Sequence, residues 1–165
     1  MLDTGFPRAY VENDFLRARR HQVLATLTRH LHRQPHDSDR LLRLDEVTGA
    51  LGWRGQRHLG LQTIRLDTIV GTASSRRDFD RHFRPTSNRV QARWEQLALA
   101  ERRGAAIPPI EVYRVGGQHF VSDGHHRVSI ATATGQQVID AYVTEILTAK
   151  LPNRTTRPLA ARLAS

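Results

Sequence analysis

Hydrophobic residues along this chain recur first at one period and then at another. Between Val11 and Leu31, the residues Leu16, Val23, Leu24, Leu27 and Leu31 return at helical spacing, with Arg17, Arg19, Arg20 and Arg29 between them. That pattern predicts an amphipathic helix ended before Pro35, followed by a polar loop from Gln34 to Arg40. A short second helix is expected from near Asp45 to Gly49 or Gly52, where Leu44, Val47 and Leu51 share a face. Leu42, Leu44, Val47 and Leu51 read as a packing face that braces the rest, with a DNA-reading helix-turn-helix as the alternative. Trp53 to Gly60, holding Gly55, reads as a connection.

The period then shortens. Leu61 to Val70 alternates and carries β-branched residues, as a strand does, and Gly71 to Ser75 is a turn. Arg76 to Arg84 is irregular and arginine-rich, closed by Pro85. Thr86 or Ser87 can cap a helix that runs to about Arg103 and stops at Gly104. On its wheel Val90, Trp94, Leu97 and Ala98 fall together, whereas Arg89, Arg93, Gln96 and Arg103 form a separate stripe. Pro108 and Pro109 open a strand from Ile110 to Val115; Gly116-Gly117 is a two-residue hairpin turn, and Gln118 to Ser122 returns. His126 to Thr134 reads as a helix ended by Gly135, and Val138 to Ile146 as a last strand. These periods place Ile64, Leu66, Ile69, Trp94, Leu97, Ile110, Val112, Phe120, Val121, Val128, Ile130, Ala131, Ile139 and Val143 inside. The final fifteen residues, with Pro152 and Pro158, read as a basic tail.

Composition narrows the chemistry. The 165 residues include no cysteine, which removes disulfides, thiolate metal sites and thiol catalysis and agrees with a cytoplasmic address. No stretch approaches the roughly 20 apolar residues that cross a bilayer, so no membrane partner is expected. The first ten residues lack the apolar run of a signal peptide. The net charge is +9, and Lys150 is the only lysine, so arginine number alone says little about recognition. Its distribution says more: Arg76 to Arg103 holds eight arginines against four acids, a local +4. Such a concentration suits an anionic partner and is equally the composition of a solvated face.

The segment Asp123-Gly124-His125-His126-Arg127 stands between a predicted strand and a predicted helix. A helix's first turn presents amides without intrahelical acceptors and the positive end of its dipole. Gly124 lets an anion approach the backbone, Arg127 adds a planar bidentate donor, and His125 and His126 add imidazoles. Asp123 can orient a histidine or hold a metal ion. The plain alternative is turn chemistry, with Asp123 a cap. His30, His32 and His36 lack a carboxylate or cysteine at metal spacing and read as surface residues, so no metal ligand is assigned.

The order I-P-P-I-x-V … G-x-x-F-V-x-D-G-H-H-R-V-x-x-A … G … I-x-A-Y-V-x-E resembles the ParB-like domains of the ParB/sulfiredoxin superfamily. Ile64-Arg65-Leu66-Asp67-Thr68-Ile69 is similar to their opening strand, and Arg76-Arg77 falls near an arginine that follows it. The resemblance covers residues 61 to 147. It implies an α/β domain with a small mixed sheet and phosphate binding through Gly124, His125, His126, Arg127, Arg76 and Arg77. In the sulfiredoxin branch the catalytic cysteine would fall at His125, so that activity is excluded here. In the partition branch the matching loop clamps the triphosphate of CTP; Gly124 and Arg127 match it, whereas His125 and His126 depart. With the chain stopping at Ser165, a CTP-driven clamp is not expected. A branch of small-molecule kinases carries Asp-Gly-His-Thr-Arg, matched at Asp123, Gly124, His125 and Arg127.

The expected organisation is a helical region over residues 1–59, the ParB/sulfiredoxin-like domain over 60–148, and a basic tail over 149–165. The expected ligand is a nucleoside triphosphate, ATP or CTP, with Mg²⁺. The activity implied is that of an NTPase or small-molecule kinase, with Asp123, His125 and His126 as catalytic candidates and Asp67, Asp78 and Glu111 as further carboxylates for a general base. The alternative is a DNA-binding partition or regulatory protein that uses its arginine-rich surface without catalysis. A homodimer is compatible with either.

Overall fold

A computed structural model of the chain describes residues 6–31 and 40–150. The architecture is α/β: among the described residues, six strands form one mixed sheet, accompanied by four α-helices. In sequence order the elements are α1 (Phe6–Leu31), β1 (Leu42–Arg43), α2 (Leu44–Leu51), β2 (Trp53–Arg65), β3 (Ile69–Thr72), α3 (Gln91–Arg102), β4 (Ile110–Val115), β5 (Gln118–Asp123), α4 (His125–Ala133) and β6 (Val138–Thr148). They fall into two compact units, one built on the sheet and one on helices α1, α3 and α4. The chain leaves the sheet unit after Ser75 and after Gly124, and re-enters it at Pro109 and Val138.

In the sheet unit the strand order is β1-β3-β5-β4-β6-β2. The pairs β1–β3, β3–β5 and β4–β6 are parallel, and β4–β5 and β2–β6 antiparallel. Gly116 and Gly117 both have positive φ, 54° and 87°, which a tight two-residue turn between β4 and β5 demands. One core gathers Val47 of α2 with Val115, Phe120 and Ile146, and Leu42, Leu44, Leu51, Val70 and Tyr113 pack on it. The bracing role read for Leu42, Leu44, Val47 and Leu51 therefore holds for α2.

Trp53 to Gly60, expected as a connection, is strand. Trp53–Arg65 pairs along β6, with register shifts between Trp53 and Gly55 and between His58 and Gly60. The glycines mark bulges, where a strand needs an extra residue or positive φ, rather than a turn. The expected strand Leu61 to Val70 is in turn interrupted by a 3-10 turn at Leu66–Thr68. After it β3 lies between β1 and β5, whereas β2 lies at the opposite edge of the sheet.

Gly71, expected in a turn, sits in β3 at a close approach. A Cβ there would lie 2.4 Å from the Leu42 carbonyl oxygen and 2.5 Å from the Phe120 ring. Neither neighbour is the loose end of a side chain. Gly71→Ala is expected to lower the unfolding free energy by about 1–3 kcal/mol through overpacking. In a urea melt the midpoint should fall with little change in slope; an unchanged midpoint would show that β1 and the ring can yield.

In the helical unit, Trp94 of α3 is fully buried and meets Phe15 of α1 edge-on, ring centroids 5.5 Å apart. Its Nε1 donates to Ser129 Oγ of α4 at 2.9 Å. Asp14 and Arg102 pair between α1 and α3. The expected helix at Thr86 or Ser87 opens instead as a 3-10 turn, Asn88–Val90, which runs into α3 without a side-chain cap. α1 starts at Phe6, with Pro7 in its first turn, where a missing N–H costs nothing.

The apolar stripe of α1 is a correction. Leu16, Val23, Leu24 and Leu27 are exposed, and the buried face carries Val11 and Phe15 instead. Val11, Phe15, Ala18 and Gln22 follow one another by four and three residues, a single face roughly opposite the leucines. One aromatic ring fitted against Trp94 fixes the helix, not the larger number of leucines. The loop expected from Gln34, the residues His32 and His36, and the tail from Leu151 lie outside the described residues. Trp94 and Ile110, the two positions on which the predicted core most depends, are both fully buried. Of the others, Leu66, Leu97 and Ile139 are half-buried.

Candidate phosphate-binding segment

β5 ends at Asp123, and α4 begins at His125. Between them Gly124 has φ 104°, a conformation that residues with a Cβ rarely adopt, so the change from strand to helix needs glycine here. Asp123 and Gly124 belong to the sheet unit, and His125, His126 and Arg127 to the helical unit.

On the sheet side, Asp123 is exposed and stands directly opposite Glu111 in the β4–β5 register. Glu111 is opposite Tyr142 on β6, and Tyr142 opposite Leu61 on β2. A row of Asp123, Glu111, Tyr142 and Leu61 thus crosses four strands. Glu111 is exposed, and its carboxylate makes no hydrogen bond or ion pair among the described residues. Like charges directly opposite each other weaken a sheet. The sequence names Glu111 as a candidate carboxylate, but only the register brings it beside Asp123. Asp67 is held elsewhere: its carboxylate accepts from Arg65, whose guanidinium keeps the carboxyl below the usual range.

On the helical side, the His125 ring is buried. It stacks on Phe79 at 6.4 Å and tilts against Phe83 at 6.3 Å, and His126 meets Phe79 edge-on at 5.3 Å. Arg127 Nη1 donates to the carbonyl of Pro108, two residues before β4, at 2.6 Å, tying the first turn of α4 to that segment. Arg76 and Arg77 are exposed and Asp78 is half-buried, just ahead of the loop that carries the two phenylalanines.

That loop is organised by Asp80, which sequence reasoning missed. The Asp80 carboxylate is buried. Its Oδ1 accepts the backbone N–H groups of His82 and Arg84, each at 2.9 Å, and its Oδ2 accepts Arg84 Nε at 2.8 Å. The turn it closes holds Phe83 at φ 55°, unusual for a phenylalanine, and presents both rings to the histidines. An aspartate followed four residues later by arginine, between Phe79 and Pro85, is the signal that could have flagged it.

His119 is the other missed residue. Thr68 donates its single hydroxyl hydrogen to the Arg65 carbonyl at 2.6 Å, so its oxygen accepts from His119 Nδ1–H at 2.8 Å. Nε2 is then a bare, buried acceptor with no hydrogen-bond partner among the described residues. Burial, and secondarily Arg114, lowers the His119 pKa from 6.5 to about 4. Because the folded value lies below the unfolded one, protonation favours the unfolded chain. Stability from this group is complete above pH 6.5 and is lost as the pH falls to about 4, by about 3 kcal/mol in all. His119→Asn keeps a donor for Thr68 and should flatten that part of the stability–pH curve; equal slopes in both proteins would contradict the assignment.

Among the described residues, no group of three or more histidines and carboxylates is placed to hold a metal ion, and no helix is long and apolar enough to cross a membrane. No family model matches this chain, and no curated protein matches it. Among solved structures the chain is similar to sulfiredoxin from Arabidopsis thaliana, with 20% identity over 50% of this chain and 82% of that one and a TM-score of 0.38.

Proposed function

We propose that this protein binds the phosphate groups of a nucleotide through Gly124, His125, His126 and Arg127, at the start of α4. The observation that carries the reading is the strand–glycine–helix junction at Asp123–Arg127, with positive φ at Gly124 and α4 beginning at the next residue. The helix dipole and first-turn amides favour an anion there, and Arg127 adds a fixed positive charge. With the His125 ring packed between Phe79 and Phe83, His126 and Arg127 are the side chains better placed to reach a phosphate. Arg76 and Arg77 add exposed charge ahead of the aromatic loop.

The nucleotide proposed is ATP or CTP with Mg²⁺, and the reaction hydrolysis or transfer of its terminal phosphoryl group. Mg²⁺ would be carried on the phosphates of the nucleotide itself, with water as its remaining ligands. Mg²⁺ would neutralise phosphate charge, and Asp123, two residues before the start of α4, is the carboxylate proposed to accept the proton of the attacking water or hydroxyl as the nucleoside diphosphate leaves. Titrating ATP, CTP and duplex DNA in parallel tests the reading. Saturable binding of a nucleotide, enhanced by Mg²⁺, is expected, and binding of DNA alone would overturn it.

A second reading, DNA binding without catalysis, draws on Arg89, Arg93 and Arg103. All three are exposed, and their guanidinium groups make no hydrogen bond or ion pair among the described residues. Their contacts would fall on phosphates, so binding should tolerate sequence and weaken steeply with salt. Replacing Arg89 and Arg93 together by alanine should reduce the slope of log affinity against log salt by about 2. A slope unchanged by the double substitution would remove this route.

A further inference from the structure

We infer that the helical unit holds a second binding site, for a small organic anion with a compact apolar body. A cavity of about 210 Å³ opens among α1, α4 and the loop that Asp80 closes. For scale, an engineered apolar cavity of about 150 Å³ takes up benzene. None of Asp123 to Arg127 lines it, so it is separate from the phosphate-binding proposal and does not depend on it.

Its lining is buried at Phe83 and Ser129 and exposed at Arg17 and His21. Phe83 and Ala18 supply apolar lining, Ala133 stands at the exposed mouth, and α1 brings Arg17 and His21, one helical turn apart, to the exposed rim. Charge among the lining residues is not balanced. Asp14 is paired with Arg102 and Arg84 with Asp80, whereas the Arg17 guanidinium makes no hydrogen bond or ion pair among the described residues. The uncommitted charge is positive. A hydroxyl adds direction: Ser129 is buried, yet it lines the cavity. Because Ser129 Oγ accepts from Trp94 Nε1, its own hydrogen remains to be donated. Two donors at the rim, one hydroxyl inside and a phenyl wall suit a flat or compact body that carries a carboxylate or a single phosphate.

The test uses the full chain with benzoate, phenyl phosphate, benzyl alcohol and inorganic phosphate as probes, followed by amide shifts in NMR spectra. Benzoate or phenyl phosphate should bind saturably and shift the amides of Ser129, Thr132 and Ala133; which binds tighter identifies the anionic group. Benzyl alcohol, with the body but not the charge, should bind at least roughly tenfold more weakly, as should benzoate to Arg17→Ala. Inorganic phosphate should not displace benzoate. Ala133 is exposed, so Ala133→Leu should keep the fold while its larger side chain narrows the mouth and abolishes binding. Shifts that map elsewhere, or that persist unchanged in both Arg17→Ala and Ala133→Leu, would overturn the site.

Discussion

Trp94→Ala is expected to lower the unfolding free energy by about 3–5 kcal/mol, the range for deleting a large buried aromatic side chain. Three losses combine. The ring has no exposed surface, its edge contact with Phe15 ties α3 to α1, and its Nε1 donates to Ser129 on α4. A cavity where three helices meet can close only if those helices move. Trp94→Phe separates the contributions, because it restores most of the volume but leaves Ser129 Oγ without its donor, at a cost of about 1–3 kcal/mol. Denaturant melts followed by circular dichroism give both values. Fluorescence adds a check, since the other tryptophan of the chain, Trp53, is 59% exposed. Emission from folded Trp94→Ala should be that of a solvated indole. A variant as stable as the parent chain would contradict the packing of the helical unit.

What the sequence revealed and what it concealed follow from how locally each feature is encoded. The hairpin at Gly116-Gly117 and the switch from strand to helix at Asp123-Gly124 were legible, because few residue pairs permit those backbone conformations. β2 was misread because a bulge glycine and a turn glycine look alike in one dimension; pairing with β6 decides between them. The buried face of α1 was missed for a related reason. Counting leucines favours the stripe of Leu16, Val23 and Leu27, but burial depends on what the helix meets, and what it meets is Trp94.

The candidate site divides in the same way. Asp123 to Arg127 stood out as a run of five residues. Glu111 could not be placed beside Asp123 without the strand register, and His119 gave no signal beyond one histidine in an alternating strand. The Asp80 turn is held by bonds to backbone amides, which leave no periodic trace in the sequence. It is this turn that brings Phe79 and Phe83 to His125, giving a predicted donor a packing role as well.

Arg127→Ala carries the largest expected effect on function. A charge-assisted hydrogen bond to an anion is worth about 1.5–3 kcal/mol, so losing it should weaken nucleotide binding roughly 10- to 150-fold. The same guanidinium donates to the Pro108 carbonyl at an exposed position. That bond contributes about 0.5–1.5 kcal/mol to the fold, or less when water replaces it, so the variant should remain folded. Arg127→Lys keeps the charge without the planar fork and should recover only part of the affinity.

The most direct test measures ATP and CTP affinity by calorimetry, with Mg²⁺ present, for the parent chain and for Arg127→Ala, and records thermal midpoints on the same samples. Phosphate binding at the start of α4 predicts saturable binding of at least one nucleotide by the parent chain. It predicts a 10- to 150-fold loss in the variant, with the midpoint lowered by only a few degrees, as follows from about 1 kcal/mol in a chain of this size. Undiminished affinity in a well-folded Arg127→Ala protein, or binding of neither nucleotide by the parent chain, would contradict it.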